Sequence, residues 1–126
     1  MASERLHESA SELSAETREM HRALSSLMEE LEAVDWYGQR VDACGDAELR
    51  RVLAHNRDEE KEHACMTLEW VRRRDPTFDA LLRRFLFASE SESIVGVEHG
   101  DGDDARPAEP TLGIGALTGE AEEDRP

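Results

Sequence analysis

Basic residues are scarce in this chain: 15 Lys+Arg stand against 30 Asp+Glu in 126 residues, a formal net charge of −15. That balance excludes the basic footprint with which nucleic-acid binders displace counterions from phosphates. Long apolar runs are missing too. No stretch approaches the ~18 consecutive apolar residues of a membrane span. The opening MASERLHESA has neither a basic n-region nor an apolar h-region, so no secretory leader is expected. Cysteine occurs only at Cys44 and Cys65, which points to free thiols in a reducing, cytoplasmic compartment. Aromatic residues make up 5%. The length is that of one domain.

Glycine and proline are lacking from most of the first 88 residues, where only Gly38, Gly45 and Pro76 occur. They concentrate afterwards. Residues 89–126 carry Gly96, Gly100, Gly102, Gly113, Gly115 and Gly119, three prolines and no aromatic residue. The same stretch holds 11 acidic and 2 basic residues, a net of −9, against −6 for residues 1–88. It buries too little apolar surface to offset ordering entropy, and is read as a disordered acidic tail. Residues 1–8 are read as a flexible N-terminus. Residues 9–88 form the helical domain.

What fills that domain is helix formers: Ala, Leu, Glu, Arg and Met. One helix is expected from about Ser9 to about Asp42. Met20, Ala23, Leu27, Val34 and Val41 keep one stripe inward, widened by Leu24 and Leu31. Gly45 then breaks the helix and Asp46 caps the next, which runs to the cationic end Arg72-Arg73-Arg74. Asp75-Pro76 opens a short third helix, Thr77 to Phe87. The fold class is therefore all-α, an antiparallel two-helix hairpin plus a short third helix. Such a hairpin leaves one side of each stripe uncovered, so it is expected to pair with another copy of itself and complete a four-helix bundle.

Part of the stripe is not apolar. Three residues after Leu27 and four before Val34 stands Glu30. The facing stripe reads Leu49, Leu53, Asn56, Glu60, His63, Thr67, Trp70, and its centre is an E-x-x-H pair on one helix face. Glu30 lies 15 residues before Gly45 and Glu60 lies 15 after it, so the two stand level, with His63 about 4.5 Å further along. Buried carboxylates without a partner cost several kcal/mol, so a cation is their natural counter-charge. Two carboxylates and one imidazole suit Fe(II) or Mn(II) better than structural zinc or calcium. Di-iron bundles draw a Glu from each of two helices and Glu-x-x-His from each of two others. This chain has one of each, half a site. A two-fold dimer would supply four Glu and two His around two iron ions. A solvated acidic face is the alternative, and Glu59 with His63 is a competing pair. A non-catalytic metal-binding or helical assembly module with a polar seam is the rival function. A hemerythrin-like oxygen carrier would need more histidines.

The runs EELEAVDWYGQRVDA at 29–43 and LAHNRDEEKEHACMTLEW at 53–70 resemble encapsulated ferritin, with similarity from roughly Thr17 to Phe87. The resemblance implies a half-ferritin subunit whose dimers assemble into a ring-shaped decamer. It also implies a ferroxidase that oxidises Fe(II) with oxygen at a di-iron centre, two Fe per dimer, inside an encapsulin nanocompartment that stores the mineral. The family's ligands fall on Glu30, Glu60 and His63, and its secondary or entry sites on Glu29, Glu32, His55, Glu59 and Glu62. Its aromatic pair near the centre falls on Trp36 and Tyr37. In the tail, Thr111 to Leu117 is the apolar island and resembles an encapsulin cargo-loading peptide. Leu112, Ile114 and Leu117 are its expected anchors on the shell protein.

Overall fold

Ser14 sets the start of the first long helix. Its Oγ accepts from the Thr17 backbone N–H at 3.1 Å, and helix α1 runs Ala15–Ala43. The expected start near Ser9 is therefore corrected by about six residues. A separate 3-10 turn, Ala10–Glu12, precedes it. The Arg18 guanidinium reaches back to the carbonyls of Leu13 at 2.6 Å and Ala10 at 3.1 Å, which holds the turn apart from the helix. The structure, a computed structural model, describes residues 6–100. It divides into two units, one ending at Arg74 and one beginning at Asp75.

In the first unit, α1 reverses through Cys44 to Asp46 into α2, Ala47–Arg74. Asp46 Oδ2 accepts from the Leu49 N–H at 2.8 Å, as the cap reading required. The Cys44 carbonyl accepts from Arg50 Nη2 at 2.5 Å, fixing the last turn of α1 to the first turn of α2. The two helices pack along one another and span about 44 and 42 Å at 1.5 Å per residue. Their shared core is thin. Helix α1 has no buried residue, and α2 buries only Ala64 and Val71. Leu31, expected to widen the inward stripe, is 55% exposed, and Leu49 is 48% exposed. A two-helix layer has one side of each stripe open, so these side chains stay exposed among the described residues.

In the second unit, Asp75 Oδ1 accepts from the Phe78 N–H at 2.9 Å and opens α3, Pro76–Phe85. The expected end at Phe87 is two residues late. Leu86 turns extended and Phe87 takes a left-handed φ of 63°, incompatible with a continuing helix. A fourth helix, α4, runs Ile94–His99, capped by Ser93 Oγ on the Gly96 N–H at 2.9 Å. It lies in the stretch expected to be disordered, and it corrects that reading for residues 94–99. Val97 is buried, and Arg84 of α3 donates to the Glu98 carbonyl at 2.6 Å. No described helix is long and apolar enough to cross a membrane. The tail island and its anchors Leu112, Ile114 and Leu117 lie outside the described residues.

Candidate metal centre

Glu30 leaves α1 midway along its length, and Glu60 and His63 leave α2 one turn apart. The hairpin brings all three to one point. One ligand atom from each lies within 4.8 Å of the other two, and among the described residues no other group of His, Cys, Asp and Glu meets that test. His63 Nδ1 stands 3.4 Å from Glu60 Oε1 and 3.6 Å from Glu30 Oε1. Two atoms bound to one ion at about 2.1 Å lie about 3 to 4 Å apart. The spacing of the triad fits a shared cation without rearrangement of the backbone.

The electrostatics are those of a site holding too many carboxylates for its own charge. Glu30 is pushed above the usual carboxylate value of 4.5, chiefly by a hydrogen bond shared with Glu60 and then by burial. Glu60 is held below it, first by the same bond. His63 is raised above 6.5, first by its hydrogen bond to Glu60. A divalent ion would compete with protons for all three groups, so its binding is expected to strengthen as pH rises. The His63 side chain stays 43% exposed, against 25% for each glutamate. The open side of the triad is the imidazole side.

The competing pair is not formed. Glu59 pairs with His55, with Oε2 at 3.6 Å from Nε2, while His63 takes Glu60.

Residues 5–89 match the EncFtn-like family. The chain belongs to the encapsulated ferritin family. It is 53% identical over 130 residues to the encapsulated ferritin-like protein of Rhodospirillum rubrum, covering 95% of this chain and 92% of that one. It is 50% identical over 103 residues to the ferritin-like protein of Thermotoga maritima, covering 77% and 90% respectively. Among solved structures, that of protein ne0167 from Nitrosomonas europaea superposes with a TM-score of 0.66 at 64% identity, over 68% of this chain and 93% of that one. The half-ferritin fold that the resemblance implied is thus consistent with a solved structure as well.

The remaining positions named from this encapsulated ferritin's sequence are less concentrated. Glu29 and Glu32 are exposed on α1, and Glu62 is exposed on α2. His55 and Glu59 form the pair described above, so the structure joins two of the three expected at 55, 59 and 62. Trp36 is 47% exposed. Tyr37 is half-buried on the inward stripe, with the Arg40 guanidinium 5.2 Å above its ring. Cys44 and Cys65 are both free thiols. One feature near the triad was not singled out from sequence, a groove lined in part by Met66 and Trp70. The i+3 step from His63 to Met66 is the signal that would have found it.

Proposed function

We propose that this encapsulated ferritin is a ferroxidase. It would oxidise Fe(II) to Fe(III) with oxygen at a centre completed by a second copy of the chain, inside an encapsulin shell. The observation that carries the reading is the meeting of Glu30, Glu60 and His63 within 4.8 Å on a helix pair whose inward side is unfinished. Iron is the substrate here, and an iron-handling role accords with ferritin-like kinship. One chain offers two carboxylates and one imidazole. A two-fold pair offers four and two, so two Fe(II) ions would be charge-neutralised by four carboxylates. Three protein ligands per ion leave positions for oxygen.

The residues have separable tasks in this reading. Without the ion, Glu60 Oε1 stands 3.4 Å from His63 Nδ1 and holds the imidazole toward the site; with it, both atoms would turn to the ion. Glu30 brings the second carboxylate to the ion from the facing helix. Carboxylate donors favour the higher charge on iron, and the exposed edge of His63 admits the ion. Two Fe(II) ions release two electrons, which with two protons convert O2 to hydrogen peroxide.

The test is an Fe(II) titration in air, following Fe(III) absorbance, oxygen consumption and native mass together. The chain should show oxygen uptake tied to iron, and iron should raise its mass to dimers and higher assemblies. Glu60→Ala and His63→Ala should each lose absorbance growth. Wild-type rates in either variant would sink the ferroxidase reading. Association that ignores both iron and chelator would favour a polar-seam assembly module instead.

A further inference from the structure

Beside the triad, the first unit carries a groove of about 380 Å³. Ala23 and Ser26 of α1 line one wall, and Met66 and Trp70 of α2 line the other. Ser26 lies one turn before Glu30, and Met66 one turn after His63, so both border the triad on its own helix faces. The lining is mostly hydrocarbon, thioether and indole, and the Arg22–Glu19 ion pair, 2.6 Å, stands among it. Such a lining suits a small neutral molecule better than an ion. Met66 is 58% exposed, so its sulfur is reachable. Met28 is nearly as exposed, at 48%, but it stands two residues before Glu30 and therefore about 200° round α1 from it. The two thioethers differ in direction from the triad more than in exposure.

We propose that Met66 is a modification site, its thioether oxidised to the sulfoxide by hydrogen peroxide formed at the Glu30–Glu60–His63 centre, in preference to Met28. The inference rests on the ferroxidase reading. Two Fe(II) ions and O2 with two protons give two Fe(III) ions and one H2O2. The sulfur of Met66 then attacks one peroxide oxygen, the O–O bond breaks, an S–O bond forms, and one water leaves. The sulfur loses two electrons and the peroxide gains them. A flexible apolar side chain at the groove becomes a polar acceptor.

The experiment uses the full chain, loaded anaerobically with Fe(II) and opened to air, with Fe(III) absorbance read in the same samples. Peptide mass spectrometry then measures oxygen added at Met66 and Met28. A second arm treats iron-free protein with reagent hydrogen peroxide, and a third repeats turnover with catalase present. Under turnover Met66 should gain oxygen several-fold more than Met28, and catalase should spare Met28 while leaving most of the Met66 product. Reagent peroxide should modify the two to similar extents. Met66→Leu, a volume-conserving change, should keep Fe(III) formation and lose the modification on that peptide. Equal modification of the two methionines under turnover overturns the proposal, as does resistance of Met66 to reagent peroxide. Fe(III) formation with both thioethers intact overturns it while leaving the ferroxidase reading standing. Absence of Fe(III) overturns both.

Discussion

Single side chains in this protein are governed by which charges share a helix face. Glu69 is the clearest case outside the triad. Its two oxygens accept from Arg72 Nε and Nη2 at 2.8 Å each and from Arg73 Nε at 2.7 Å. The Arg72 hydrogen bonds lead in holding its carboxyl well down, from 4.5 to about 2. A depressed carboxyl stabilises the folded chain fully above its unfolded value, and that contribution is lost as pH falls from about 4.5 to about 2. The side chain is 41% exposed, so solvent screens much of the effect. Glu69→Gln should therefore cost about 0.5–1 kcal/mol at neutral pH and almost nothing near pH 2. Urea melts of chelated protein at both pH values check this, and an equal loss at both would contradict it. At this scale the triad itself was legible. A glutamate in an apolar stripe and an E-x-x-H on a facing stripe are both visible in the order of residues. The upward push on Glu30 from Glu60 was not, because it depends on the separation of two helices.

Elements follow their caps more than their apolar pattern. Ser9, Ser11 and Ser14 all precede α1, and any of them matches a cap signal. Only tertiary accounting chose Ser14, because Arg18 occupies the carbonyls just before it. Asp46 and Asp75 had no such competitors and start their helices as their sequences imply. Asp46→Ala leaves the Leu49 N–H without its acceptor at the tightest point of the hairpin, and should cost about 1 kcal/mol. Thermal melts followed by circular dichroism measure it, and an unchanged midpoint would remove Asp46 from the account. Helix α4 was hidden by averaging. Its Ile94, Val95 and Val97 sit among acidic and glycine residues whose composition argues for disorder. Composition describes a window, whereas the Ser93 cap and the burial of Val97 act at single positions.

For the whole molecule, the open side of the hairpin and the acidic tail make separate statements. Exposed Leu31, Leu49 and Val52 leave the first unit short of core on its own, which is why a second copy enters the functional reading. The tail enters through its sequence alone. If Leu112, Ile114 and Leu117 anchor the chain to an encapsulin shell, deleting residues 111–117 should abolish co-purification with the shell. Iron oxidation and the mass of the free assembly should stay unchanged. Undiminished co-purification would place the anchor elsewhere.

By itself, the sequence determined the helical class, the hairpin reversal at Gly45, and the faces on which Glu30, Glu60 and His63 stand. These are local consequences of a 3.6-residue period and of one breaker followed by one cap. Only the tertiary structure decided which neighbours won. It gave His63 to Glu60 and Glu59 to His55, pushed Glu30 up against Glu60, and opened a groove at Met66. The reason is one of length scale. A helical pattern fixes direction to within a turn, about 5 Å along the axis, while pairing is settled by differences of less than 1 Å between neighbouring side chains.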